Sequence, residues 1–350
     1  MVNNGFMDKK KLFEEIVNAT KVVGPAIITE RVYESMFKHH FYTFKPIYFT
    51  IEDFPDLSRT RYTFYSCNKH LLVGYIYKCK NVQNKGIFVF SHGYGGGGHH
   101  CYLDLIHAIC EQGYYVFAYD ATACDESEGH DIKGFTQGML DADKAISFIE
   151  TFKEFSKLPL YLCGHSWGGY SVSTALGWHE RVKGVIAFSG FNEAVAPFKA
   201  NGERYAGEKA SEFMVYVDTF ERLLFGDVYK TTAVDAFSRS KARIAIVHSE
   251  DDKSVPISAG YDIYHQEFKN NKRFKFVKLL NHGHASVYHS LEGMKYYAKI
   301  HKAYSKYVKD NKPSEIEKEQ FLKEHIDRNK YNNMVDKKLI AKLIEFISKK

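Results

Sequence analysis

Little in this sequence ties it to a membrane, a secretory route or a nucleic acid. No stretch approaches the roughly 18 consecutive apolar residues needed to span a bilayer. The amino end, MVNNGFMDKKKLFEEIVNAT, carries charges where a secretory signal needs a continuous apolar run and a small-residue cleavage site. The net charge is +6 over 350 residues, with lysine and glutamate interleaved. No concentrated basic stripe emerges, which leaves nucleic-acid binding without support. The six cysteines form no C-x-x-C pair and no small-domain framework. Several lie in apolar runs that should be buried, so free thiols in a reducing compartment are the default. Repeats and low-complexity segments are also missing. The expectation is a soluble cytoplasmic protein.

What is present is a chain with enough apolar residues (45%) for a large core. Short apolar runs at 86–91, 114–119, 158–163, 182–189, 242–248 and 274–280 read as strands buried on both faces. Helical patterns between them, at 102–112, 135–155 and 257–269, give the alternation of a mostly parallel sheet with right-handed crossovers. Residues 61–66 and 71–78 alternate as a hairpin. Ahead of them, 8–20 and 25–41 read as helices on either side of Gly24-Pro25, followed by an aromatic-rich arm to about residue 60. That arm suits packing on the core, contact with a second copy of the chain, or a lipid interface. Residues 191–240 break the alternation with mixed charged and aromatic helical sequence. They form an insertion that serves either as a mobile gate or as a structural layer. Two further helices, 291–310 and 336–348, are expected with the charged KPSEIEKEQ stretch as their link. The last one has a continuous apolar face of Leu339, Ile340, Leu343, Ile344 and Ile347.

The chain is organised around residues 158–169, LPLYLCGHSWGG. A G-x-S-x-G at 164–168 stands where a strand turns sharply into a small-residue helix. Such a turn forces Ser166 into a strained conformation, and its flanking glycines leave room for neighbouring backbone. Ser166 is therefore the candidate nucleophile. The first apolar run leads into HGYGGGG at 92–98. Read alone, that run fits an oxyanion loop or a flexible surface loop, while a phosphate cradle lacks its G-K-[ST] ending. Two more groups, HSEDDKSVP at 248–256 and NHGH at 281–284, each follow a later strand at the same sheet edge. They supply acids and histidines in the order serine, acid, histidine.

These motifs together resemble the α/β-hydrolase family over roughly residues 61–190 and 241–350. The resemblance implies an α/β-hydrolase fold with helices on both faces of the sheet; residues 191–240 match no part of it, and their place after a strand on the serine side makes them a candidate helical lid. It implies a catalytic triad of Ser166, Asp252 and His284, with Asp251 as the fallback acid and His282 the less favoured base. The backbone amides of Tyr94 and Trp167 would form the oxyanion hole. Ser249 stands where the family commonly has glycine. The loop at 120–129 looks like a variant of a family segment and has a structural role. Gly93, Gly95, His165, Tyr205 and Phe213 are the candidate substrate contacts. No metal and no cofactor is required. The leading expectation is a carboxylic-ester hydrolase acting on a small-molecule ester or amide. A serine peptidase would need an amine anchor, for which Glu203, Glu208 or Glu212 stand in the lid. Thioesterase or acyltransferase chemistry uses the same residues, and a non-catalytic binding protein is the reading from another class. A homo-oligomer through the arm also stays open.

Overall fold

The computed structural model describes residues 25–207 and 210–349, except for the side chains of residues 25, 26, 45, 203–206 and 212. The helix expected at 8–20 lies outside the described residues. In chain order the elements are α1 (Pro25–Phe37), β1 (Leu57–Tyr65), β2 (Leu71–Cys79), β3 (Ile87–Ser91), α2 (Leu103–Glu111), β4 (Tyr115–Tyr119), α3 (Thr136–Glu150), β5 (Leu160–His165), α4 (Trp167–Ala175) and β6 (Val182–Phe188). There follow α5 (Ala196–Ala206), α6 (Ala210–Phe225), α7 (Ala233–Arg239), β7 (Arg243–Ser249), α8 (Tyr261–Phe268), β8 (Phe274–Leu279), α9 (Leu291–Asn311), α10 (Glu315–His325), α11 (Arg328–Tyr331) and α12 (Lys337–Ser348).

The strands form one sheet in the order β1-β2-β4-β3-β5-β6-β7-β8. β1, β2 and β4 pair antiparallel, and every other neighbour pair is parallel. The chain moves outward from β3 to β4 and then crosses back over β3 to reach β5. That reversal opens a crevice at the carboxyl ends of β3 and β5, where open α/β sheets hold their sites. Core strands such as β3 and β5 are buried along their whole length, because helices cover both sheet faces. One apolar cluster joins the sheet to α1, α3, α4 and α8. The other joins it to α2, the C-terminal helices and Ile47, Phe49 and Phe54 of the N-terminal arm.

Several elements depart from the sequence reading. The helix expected over 257–269 is interrupted at Gly260, where a Cβ would stand 2.2 Å from the Gly190 carbonyl oxygen, and α8 starts only at Tyr261. The KPSEIEKEQ link is for the most part the helix α10. Ser314 caps it, accepting the Glu317 amide while the Glu317 carboxylate takes the Ser314 amide. That capping box, S-x-x-E, was the signal in the sequence. The last helix docks as its apolar face requires: Ile340, Leu343, Ile344 and Ile347 are buried, each worth about 1.5–3 kcal/mol. It presses on β6 at Gly184, where a Cβ would meet Ile347 Cβ at 2.7 Å.

The two ends of the 191–240 stretch meet at Asn192. The carbonyl of Asn192 accepts the Ala233 amide at 2.9 Å, and Asn192 Oδ1 accepts the Val234 amide at 3.1 Å. Helix α7 packs back on α4, while α5 and α6 pack on each other and α6 packs on α1. The arm folds onto the same chain. Tyr33 stacks on Phe198 and Phe220, and Phe37 meets Tyr94 and Phe135 edge-on.

Glu221 of α6 is fully buried and accepts hydrogen bonds from Tyr33 (3.0 Å) and Thr136 (2.7 Å), which pins the insertion to α1 and α3. Burial pushes its carboxyl up from 4.5 to about 7, against those two hydrogen bonds. Between these values the folded protein keeps a proton the unfolded chain has lost, so stability falls as pH rises through that window. Glu221→Gln removes this titration, and the acceptor oxygen it also loses to an NH₂ gives an offset that does not vary with pH. Melting curves of both proteins from pH 4.5 to 7.5 should show wild type losing Tm relative to the variant as pH rises. A constant difference would contradict the assignment.

Candidate active site

Ser166 sits at φ 56°, ψ −118°, between β5 and α4. Only glycines fit around it. A Cβ on Gly164 would lie 2.3 Å from the Gly168 carbonyl oxygen, and one on Gly168 would lie 2.0 Å from that of Ser91. The obstacle is backbone in both cases and cannot rotate away. Gly168→Ala should therefore destabilise the fold by about 3 kcal/mol or more, measured by urea denaturation. A loss below about 1 kcal/mol would mean that β3 and α4 are not packed this closely.

Three side chains converge here from separate strand ends. His284 Nε2 lies 2.8 Å from Ser166 Oγ, and His284 Nδ1 lies 2.7 Å from Asp252 Oδ2. A carboxylate can only accept, so Nδ1 carries the proton and Nε2 is left to accept from the serine hydroxyl. Asp252 is buried after β7. Its Oδ1 takes the amides of Ser254 and Val255, both at 2.9 Å, and its Oδ2 stands 3.3 Å from His248 Nε2. Burial opposes the ionised form, but hydrogen bonds from His248, His284 and the Val255 amide outweigh it and hold the carboxyl far below its usual range.

Asp251 has a different position. Its Oδ1 accepts the Ser249 hydroxyl at 2.6 Å and the Gly283 amide at 3.1 Å. Ser249 Oγ in turn accepts the His282 amide at 3.1 Å. The serine that stands in a common glycine position thus clasps the two loops that carry Asp252 and His284. The His282 ring faces the Leu280 carbonyl and takes no part in the relay.

Of the expected substrate contacts, His165 and Gly93 belong to a hydrogen-bonded chain beside the serine. His165 Nε2 donates to the His284 carbonyl at 2.9 Å, which leaves Nδ1 to accept from the Tyr102 hydroxyl, also at 2.9 Å. The Tyr102 oxygen accepts the Gly93 amide at 3.1 Å. Burial and the neighbouring His284 push His165 down to about 3, so it stays neutral. Tyr102 was not singled out in the sequence; only its place just after the glycine run marked it. Gly95 lines a cavity next to His165, with Tyr94 at its rim. Phe213 does not belong there. It lines a separate apolar gap with Ile28, Val32, Phe198, Met214 and Val217, because that face of α6 turns toward α1. The Tyr205 side chain, like those of Glu203 and Glu212, lies outside the described residues, as does Glu208 altogether.

The far end of the glycine run is packed rather than free, although Gly96 faces open space. A Cβ on Gly97 would meet the Thr43 amide at 2.2 Å, and one on Gly98 would meet Asp120 Oδ1 at 2.0 Å. His92 Nδ1 donates to the Gly93 carbonyl at 2.9 Å and its Nε2 accepts the Ala121 amide at 3.0 Å. In the 120–129 loop, Ser127 Oγ donates to the Asp120 carbonyl at 2.6 Å and accepts the Val73 amide at 2.8 Å. The Trp167 indole donates to the Phe135 carbonyl at 2.7 Å. Trp167 is the first residue of α4, so its backbone N–H has no partner within the helix.

Two clusters have metal-ligand types among the described residues, His99–His100–Asp120 and Asp56–Cys79–His107. In the first, His99 already spends its nitrogens on Asp120 (2.6 Å) and Tyr77 (2.7 Å), and Arg59 points its guanidinium at His100. A cation is disfavoured there. The second lies at the opposite sheet end, where Cys79 pairs with Leu57.

Similarity to known proteins follows the same lines. A family model described as serine aminopeptidase, S33, matches residues 82–219, which is less than half of the chain. That segment holds the glycine run and Ser166 but ends before Asp252 and His284. A proline iminopeptidase of Clostridioides difficile (strain 630) is 34% identical over 93 residues, 26% of this chain. The chain spans 29% of the length of that curated relative. An esterase of Pyrococcus furiosus superposes in two crystal forms with TM-scores of 0.56 and 0.53, at 15% identity in both. The matches cover 78% and 75% of this chain and 97% and 95% of the esterase. With a reversing parallel sheet and a strained serine at its crevice, the chain is an α/β-hydrolase by fold.

Proposed function

We propose that this protein is a serine hydrolase that cleaves carboxylic esters through an acyl-enzyme. The observation that carries this reading is the relay of 2.8 Å and 2.7 Å from Ser166 through His284 to Asp252. His284 Nε2 takes the Ser166 proton as Oγ attacks the ester carbonyl, and Asp252 holds the ring and balances the imidazolium. The amides of Trp167 and Tyr94 stabilise the oxyanion. The tetrahedral species collapses as the departing alkoxide takes the proton from His284. Water then gives its proton to His284 and attacks the acyl carbonyl, releasing the acid and restoring Ser166. The core at 61–190 and 241–350 carries this chemistry, and residues 191–240 form a lid over it. The six free thiols, four of them buried, support an intracellular setting.

A second reading, a serine aminopeptidase, is favoured by the match at residues 82–219 and by the iminopeptidase likeness. Initial rates on 4-nitrophenyl esters and aminoacyl 4-nitroanilides of matched acyl groups separate the two. The ester reading expects kcat/KM on esters to exceed that on anilides after correction for their intrinsic reactivity. The opposite order would favour the peptidase.

A further inference from the structure

A cavity of about 250 Å³ lies beside the serine and belongs to neither the relay nor the lid. Tyr94, Gly95, His165 and Ala285 line it, and the last two are the chain neighbours of Ser166 and His284. Its remaining walls are largely aromatic: Phe49 from the arm, Tyr102, and Tyr288, Tyr297 and Tyr331 from the C-terminal elements.

Asp104 of α2 opens into this cavity and is itself only 3% exposed. Its Oδ1 takes the adjacent Leu105 amide at 2.7 Å. Its Oδ2 stands 3.9 Å from His289 Nε2. Burial pushes His289 down to about 3, so it brings no charge. Among the described residues no lysine or arginine pairs with Asp104. Burial drives the Asp104 carboxyl up to about 7, against the pull of the Leu105 amide, its own amide and His107 on the same helix. A buried carboxylate with no lysine or arginine beside it is costly and gains from a bound cation. Tyrosine faces attract the same kind of group, the more so when water is excluded.

We propose that this cavity is a subsite for a protonated or quaternary amine carried by the substrate, with Asp104 as its counter-charge and the tyrosine rings as its walls. This rests on the hydrolase reading above. It assigns the substrate class as esters or amides with a cationic head a few bonds from the reacting carbonyl.

Matched substrates test it with the full chain. On the acyl side, 4-nitrophenyl 6-aminohexanoate is compared with the heptanoate, which replaces the ammonium by a methyl. On the alcohol side, acetylcholine is compared with 3,3-dimethylbutyl acetate. The subsite predicts that kcat/KM favours the cationic member of one pair by about tenfold or more. Asp104→Asn should bring that ratio close to one. The ratio is taken within one protein, so a reduced folded fraction cancels. Hydrolysis of both members of each pair at similar rates by wild type would overturn the subsite and leave the hydrolase reading intact. A ratio unchanged in Asp104→Asn would overturn the assignment to Asp104. If no substrate turns over, the hydrolase reading has failed instead. Calorimetric titration with tetramethylammonium then decides the cavity: saturable binding lost in Asp104→Asn upholds it, and no binding overturns it.

Discussion

Ser166→Ala should lower kcat on a reactive ester by about 10⁴–10⁶-fold while the protein stays folded. The size of the loss follows from the relay acting as a unit. Without Oγ, His284 has no proton to take and no covalent step remains, and only the amides of Trp167 and Tyr94 can still polarise a bound carbonyl. The fold should tolerate the change, because alanine occupies the same backbone at φ 56° and removes no packing that glycine neighbours depend on. A loss under about tenfold, with melting unchanged, would remove Ser166 from the nucleophile role.

The adjacent aspartates should behave very differently. Asp252→Asn should reduce kcat by about 10⁴-fold. The Ser254 and Val255 amides keep the asparagine oxygen on their side, so its NH₂ faces His284 Nδ1, selects the wrong tautomer and leaves the imidazolium unbalanced. Two backbone amides and His248 already hold the Asp252 carboxylate in place, so an asparagine there would keep its position but lose its charge. Asp251→Asn should cost about tenfold or less in kcat, since Asp251 touches the Ser249 hydroxyl and the Gly283 amide rather than a relay atom. Its effect should appear as lowered thermal stability, from slackening the clasp between the two loops. Equal losses from both substitutions would contradict this division. Because the Asp252 carboxyl is held so far below its usual range, no fall in activity at mildly acidic pH should trace to its protonation.

Much of this was legible in the sequence because it is local. The elbow is read from glycines at fixed offsets around Ser166, and the strands from apolar runs too short for helices. The last helix was readable from its apolar face alone. What the sequence did not reveal depends on contacts between distant segments. That Asp104 faces a cavity depends on α2 meeting Tyr288, Tyr297 and Tyr331 from about two hundred residues later. The Gly93–Tyr102–His165 chain joins three segments that share no pattern. Phe213 looked like a substrate contact because it is aromatic and lies in the insertion, yet the helix turns it toward α1. The α10 helix was missed for the opposite reason: its sequence is mostly charged or polar, and its signal lay in the Ser314–Glu317 cap.

The most direct test of the central claim is labelling with a fluorophosphonate probe, wild type beside Ser166→Ala, with the modified residue mapped by mass spectrometry. The account predicts a single phosphonylated residue, Ser166, and no label in the variant. A folded wild-type protein that takes no label, or one labelled elsewhere and equally in Ser166→Ala, would contradict it.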